Sequence, residues 1–267
     1  MREALETVPA LKKAKAILAV DIFGLPANWP EINRIATEYN LITIDDAAQS
    51  FGAKIGNTIS GNFAGITCTS FFPTKPLGCF GDGGAIFTNN EDWAETLRSL
   101  RVHGASDKKY FSTAIGTNSR LDAIQAAVLL EKILVFDEDQ SQKQWVVERM
   151  RTMFPADNFV LQSTHPSEDN FVSSNALFSL RVRNRDTFAL MLQDSDIPSN
   201  IYYPVPISSM PPYKTTLQFP VSLWAVQLIC NSILSIPIPR KENSSDYFLA
   251  LKNTIERYIT YENLPVR

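Results

Sequence analysis

Two short apolar runs, separated by one helix-length segment, constrain this chain more than anything else in it. Residues 15–23 (KAILAVDIF) are almost continuously apolar, the pattern of a strand covered on both faces. Gly24 and Pro26 end the run. Asn28 can cap a helix with Pro30 in its first turn, and Ile32, Ile35, Ala36 and Tyr39 recur at helical spacing. Residues 41–44 then read as a second buried strand that runs directly into Asp45 and Asp46. Strand, helix and strand with short joins form a βαβ unit, which requires a parallel pairing and a right-handed crossover.

The rest of the chain extends this pattern. Residues 66–72 are another apolar run, followed by the turn-rich PTKPLGCFGDGG (73–84) and a strand over 85–88. Asn89 or Asn90 can cap a helix through Trp93, Leu97 and Leu100. A helix rich in Ala, Leu, Ile and Val spans 121–136, and a second, carrying Trp145, Val146 and Met150, ends before Pro155. Further on, 176–182 reads as a strand, 186–193 as a helix and 201–205 as a strand. Phe248, Leu251, Ile255, Tyr258 and Ile259 share one face of a closing helix over 248–261. The expected fold class is α/β, with a large, mostly parallel-sheet domain (1–135) and a smaller α+β domain (136–267).

Composition narrows the function. A net charge of −3 gives no basic surface for nucleic acid or an anionic membrane. Cys68, Cys79 and Cys230 lack framework spacing and fit reduced thiols. His103 and His165 are the two histidines, and no cluster has metal-ligand spacing, so no metal site is expected. The opening residues lack the parts of a signal peptide, and the apolar stretches 221–230 and 233–238 are too short to span a membrane. A cytoplasmic protein is expected.

Three places carry residues suited to chemistry. Asp45 and Asp46 stand at the carboxyl edge of a parallel strand, where open α/β sheets bind ligands; they read equally as acids capping a following helix. Ser70 reads as a ligand hydroxyl or as a plain strand-end residue. Lys75 lies between Pro73 and Pro76, after Phe71 and Phe72 and before Gly78, Gly81, Gly83 and Gly84. A lysine held near apolar walls can become a nucleophilic amine, whereas the alternatives are an exposed loop lysine or a glycine-rich phosphate loop. GCFGDGG matches neither GxGxxG nor a Walker motif.

Taken in order, IDDAAQS (44–50), TSFFPTKPLGCFGDGGA (69–85), HG (103–104) and IGTNSRLDAIQAA (115–127) resemble the DegT/DnrJ/EryC1/StrS family of sugar aminotransferases. The resemblance implies the aspartate-aminotransferase type of fold, pyridoxal phosphate (PLP) as cofactor, and a homodimer with active sites at the subunit interface. It assigns Lys75 to hold the cofactor covalently, Asp46 to the pyridine nitrogen, Gln49 to the ring and Ser70 to the phosphate. It places Asn118 at the phosphate of the neighbouring subunit's cofactor. Arg120, His103 and Tyr203, the last in YYPVPI (202–207), are assigned to the substrate. The segment FFPTKPLGCFGDGGA most resembles enzymes acting on UDP-linked 3-keto sugars, including 3-oxo-glucuronates, in amino-sugar and cell-surface polysaccharide biosynthesis. Glutamate is the family's usual amino donor.

The sequence departs from the family in three places. The family's opening stretch, which supplies a Gly-Thr pair to the phosphate and an aromatic to the ring, lies outside this sequence. Weak transamination by this chain alone is the expected consequence. Ser208 stands where the family often has His, and SIPIP (235–239) keeps the late apolar turn loosely. Two functions therefore compete: an aminotransferase of nucleotide-linked keto sugars, and a catalytically silent family member acting through its dimer surface.

Overall fold

A computed structural model of the protein describes residues 1–108, 110–162, 170–214 and 223–263. The chain begins with α1 (Arg2–Thr7), β1 (Ala16–Val20), α2 (Trp29–Glu38) and β2 (Ile42–Asp46). A small hairpin of β3 (Lys54–Ile55) and β4 (Thr58–Ile59) precedes β5 (Ile66–Ser70), β6 (Gly84–Phe87) and α3 (Glu91–Arg101). Next come α4 (Ala123–Leu134), α5 (Phe136–Arg151), β7 (Phe159–Leu161) and β8 (Phe171–Val172). Strand β9 (Phe178–Val182), α6 (Arg185–Gln193), α7 (Pro211–Lys214), α8 (Trp224–Ser232), β10 (Ile233–Ile236) and α9 (Ser244–Glu262) complete it.

These elements divide into two compact units. One holds Lys13–Glu138 with Glu168–Ala176; the other holds Met1–Lys12, Asp139–Ser167 and Leu177–Arg267. The division differs from a simple cut between 1–135 and 136–267, because the first twelve residues group with the C-terminal half and the segment around β8 with the N-terminal one.

In the first unit the sheet order is β1-β2-β5-β6. β1 pairs parallel with β2, in register Val20 to Asp46, and β2 pairs parallel with β5, Asp46 to Cys68. The fourth strand reverses: β6 runs antiparallel to β5, with Ser70 opposite Gly84. One face of this sheet is covered. Ile17, Thr43, Asp45, Thr67 and Thr69 are buried on it, and α2 packs Trp29, Ile32, Ile35 and Ala36 inward. Asn28 caps α2, its Oδ1 accepting from Glu31 N at 3.2 Å. The opposite face is open: Leu18, Val20, Ile42 and Ile86 are 63%, 45%, 39% and 49% exposed. Strand alternation puts Asp46, Cys68 and Ser70 on that open face, at its carboxyl edge.

The helix expected over 121–136 is α4, which ends at Leu134 because the chain leaves helical geometry at Val135 (φ −108°, ψ 2°); the second expected helix is α5, which starts at Phe136. Leu129 of α4 and Phe136 of α5 pack with Phe71, Leu77 and Cys79. The edge-on ring pairs Phe51–Phe136 (5.2 Å) and Phe51–Phe71 (6.3 Å) fill the same core.

The second unit has an antiparallel sheet, order β10-β9-β7. Phe159, Phe188 and Tyr258 form its centre, with ring centroids 5.0 to 5.5 Å apart. The strand expected over 201–205 is absent. Pro204 and Pro206 remove ladder donors there, and the segment contributes only the neighbouring bridge Asn200–Ser235. The apolar stretch 221–230 lies in part outside the described residues, as does His165; α8 begins at Trp224. No helix among the described residues is long and apolar enough to cross a membrane.

Candidate active site

The carboxyl ends of β2 and β5 define the site. Both strands point the same way, so Asp46 and Ser70 finish at one edge and on one face. Asp46 Oδ1 accepts from Ala48 N at 3.1 Å, which closes a tight turn rather than capping a helix and leaves Oδ2 available. Ser70 Oγ accepts from Phe72 N at 3.2 Å and keeps its hydroxyl proton for a ligand.

Ser70 leads straight into the loop bearing Lys75. This loop is braced from several sides. Phe71 N donates to Gly83 O at 2.8 Å, and Cys79 N donates to Phe71 O at 2.8 Å. Lys75 N donates to Phe72 O at 2.9 Å. From α4, Gln125 Oε1 accepts from Phe80 N at 2.8 Å, and Lys132 Nζ donates to Gly78 O. Gly78 is required at its place, because a Cβ there would lie 2.7 Å from the carbonyl oxygens of both Phe72 and Pro73. The Lys75 side chain is half-buried, and no hydrogen bond or ion pair holds its amine among the described residues.

Gln49 sits in the turn after Asp46, with Oε1 accepting from Phe23 N at 2.6 Å. Its remaining polar group is the amide NH₂, a donor. Asp45 points the other way, into the covered face. Burial, and next the carboxylate of Asp21, push Asp45 up to about 8, against the Thr67 hydroxyl 3.4 Å away. Asp45 is therefore protonated at neutral pH and unsuited to pair with a pyridinium. The alternation of β2 singles out Asp46.

His103, Asn118 and Arg120 form a separate exposed group. Val102 bridges Asn118, His103 N donates to Thr117 O at 2.9 Å, and Arg120 Nε donates to Asn118 Oδ1 at 3.0 Å. None of the hydrogen bonds or ion pairs among the described residues joins this group to Lys75 or Asp46. Tyr203 belongs to the second unit and is 51% exposed. Sequence reasoning missed Asp21, Gln125 and Lys132. Asp21 had a signal, as the lone acid inside KAILAVDIF; the two α4 residues had none, since long polar side chains on a helix read as solvated.

Comparisons with known proteins identify the family. The sequence profile of the DegT/DnrJ/EryC1/StrS aminotransferase family matches residues 6–246. The chain belongs to this family. A UDP-2-acetamido-2-deoxy-3-oxo-D-glucuronate aminotransferase of Pseudomonas aeruginosa is 40% identical over 199 residues, 74% of this chain and 54% of that protein. A UDP-N-acetyl-3-dehydro-alpha-D-glucosamine 3-aminotransferase of Acidithiobacillus ferrooxidans is 34% identical over 198 residues, 73% of this chain and 52% of that one. The chain thus spans little more than half the length of these curated relatives. Among solved structures, a DegT/DnrJ/EryC1/StrS aminotransferase of Brucella abortus superposes with a TM-score of 0.88 at 37% identity, covering 96% of this chain and 69% of that one. A Bacillus subtilis family member solved with bound pyridoxamine phosphate superposes with a TM-score of 0.75 at 27% identity, over 91% of this chain and 57% of that one. The fold is that of the PLP-dependent transferases, and PLP is the cofactor that membership of the DegT/DnrJ/EryC1/StrS family implies. The residues fit it: one unpaired lysine amine, one free carboxylate oxygen, one hydroxyl and one amide donor meet around the open edge of β2 and β5.

Proposed function

We propose that this chain carries the cofactor site of a PLP-dependent aminotransferase. It would move an amino group, with glutamate as donor, onto a nucleotide-linked keto sugar, most closely a UDP-linked 3-keto sugar. The observation that carries the reading is the convergence of Asp46 and Ser70 on one strand edge, with Ser70 running directly into the braced loop of Lys75. Family membership and the two UDP-sugar aminotransferases among its relatives support the substrate class.

When bound, PLP supplies an electron sink for a carbanion at the carbon that gains or loses the amine. Asp46 would hold its free oxygen to the ring nitrogen and keep that nitrogen protonated. Lys75 would hold the cofactor and, once released, move the proton to and from the reacting carbon. The Ser70 hydroxyl and the Gln49 amide would fix phosphate and ring, so that orientation is set before reaction. Asn118 and Arg120, exposed and tied to each other, suit a role at a second subunit's site, with Arg120, His103 and Tyr203 toward the substrate. A cytoplasmic homodimer in amino-sugar or polysaccharide biosynthesis is the setting proposed.

The test is direct. PLP mixed with the purified protein and reduced with borohydride should add its mass to the peptide containing Lys75. Labelling elsewhere, undiminished in Lys75→Ala, overturns the assignment. Asp46→Ala should abolish transamination and change the cofactor spectrum, and the same result from Asp45→Ala alone would show the register to be wrong. Sedimentation should give a dimer; a folded monomer with full PLP affinity refutes the shared site.

A further inference from the structure

Asp21 lies in none of the motif segments, yet the chain around it holds the turn that presents Asp46 and Gln49. Asp21 N donates to Asp46 O at 3.1 Å. Ser50 Oγ, at the far end of the turn, donates to Asp21 Oδ2 at 2.8 Å. Two residues on, Phe23 adopts a left-handed conformation (φ 62°, ψ 7°), with its N–H donating to Gln49 Oε1. Gly24 (φ 99°) continues the corner, its carbonyl accepting from Ser174 N at 2.9 Å while Ser174 Oγ donates to Gln49 O at 2.7 Å. From the other side, Asp21 Oδ1 accepts from Ala27 N at 2.8 Å and Trp29 Nε1 at 2.9 Å.

This arrangement decides what the turn can offer a ligand. With Gln49 Oε1 occupied by the Phe23 amide, Gln49 presents a donor and not an acceptor. With Asp46 held through its own carbonyl and its Oδ1, one carboxylate oxygen is aimed and free. Loss of the corner would let the Gln49 amide turn over and Asp46 swing. Asp21 and Asp45 are both fully buried, and Asp45 Oδ1 has no hydrogen-bond partner among the described residues. Asp21 accepts three donors, which oppose the burial that pushes its carboxyl up, whereas Asp45 accepts one long bond, from Thr67. Asp46, on the opposite face of the sheet, also pushes the Asp21 and Asp45 carboxyls up.

We propose that Asp21, which need touch neither cofactor nor substrate, is a positioning residue of the site: its buried carboxylate, gathering the Ala27, Trp29 and Ser50 donors, clamps the 46–50 turn so that Gln49 offers a donor and Asp46 a fixed acceptor. The proposal rests on the PLP reading above, and its test separates the two. Asp21→Asn keeps the shape but removes the charge that gathers the Ala27, Trp29 and Ser50 donors. In the cofactor-free protein, hydrogen exchange at the Phe23 amide should accelerate about tenfold. The PLP dissociation constant should rise by about tenfold or more, and the pH midpoint of the bound cofactor's absorption should move. Asn28→Ala, which uncaps α2, should lower stability without moving any of the three. Should Asp21→Asn fail to fold, Ser50→Ala removes one donor and should shift all three in the same direction by less. Unchanged exchange at Phe23, or a PLP loss no greater than in Asn28→Ala, overturns the clamp. A wild-type protein that leaves Lys75 unlabelled defeats the PLP reading instead, and the exchange measurement still decides whether the clamp exists.

Discussion

Replacing Asp45 by Asn should flatten the dependence of stability on pH between pH 6 and pH 9. Asp45 is fully buried, and its carboxyl sits at about 8 rather than at its ordinary 3.8. Between those two values the folded protein keeps a proton that the unfolded chain has released. Folding stability is therefore highest at the acid end of this window and falls as pH rises toward 8, after which it levels off. One proton corresponds to about 1.4 kcal/mol per pH unit, so the loss from pH 6 to pH 9 is roughly 2–3 kcal/mol. That is a sizeable part of the 5–15 kcal/mol typical of a domain. Asp45→Asn keeps the shape of the side chain and has no proton to lose. Urea unfolding of the cofactor-free protein, followed by the fluorescence of buried Trp29, measures both proteins at both pH values. The variant's margin over the wild type should widen by that amount between pH 6 and pH 9. Parallel pH profiles for the two would refute a protonated Asp45.

Three further substitutions probe the supports of the site. Gly78→Ala places a methyl 2.7 Å from two backbone carbonyl oxygens, so the protein should still fold by circular dichroism while borohydride-fixed PLP at Lys75 falls about tenfold. Leu129→Ala, beneath the same loop, should cost about 2–5 kcal/mol in denaturant unfolding, with the midpoint shifting more than the slope. Tyr258→Phe removes the hydroxyl that accepts from Asn184 N at 3.3 Å and should cost about 0.5–1.5 kcal/mol, without altering PLP binding.

The sequence made the βαβ unit legible because its signals are local. The apolar runs, the Asn28 cap and Pro30 are each sufficient within a few residues. Strand ends were less legible. The run 15–23 reads as one strand, but β1 stops at Val20 because the Asp21 side chain gathers donors from residues 27, 29 and 50. No pattern in KAILAVDIF announces partners that distant. The boundary between α4 and α5 was legible to within two residues, since the apolar run ends at Phe136 and polar residues follow. Of the candidate site, Asp46, Ser70 and Lys75 followed from ordered motifs, and the structure adds the register that selects Asp46 over Asp45. The braces from Gln125 and Lys132 cross about 45 to 54 positions of sequence and depend on tertiary packing that no local pattern encodes.

The reversal of β6 bears on how Lys75 can move. Had the chain continued the parallel sheet, the stretch after β5 would have needed a crossover of a dozen or more residues. The lysine would then have ridden on an element free to tilt or slide. An antiparallel return instead fastens both ends of its loop one strand apart, Ser70 opposite Gly84. Little backbone travel is left to it, so the amine's reach comes from rotation about its own side-chain bonds, which is fast on the scale of ordinary turnover. Such a lysine resembles a short tether on a fixed post. Its working radius is set by four methylenes, and exchanging the surrounding walls for a different substrate would leave that radius unaltered.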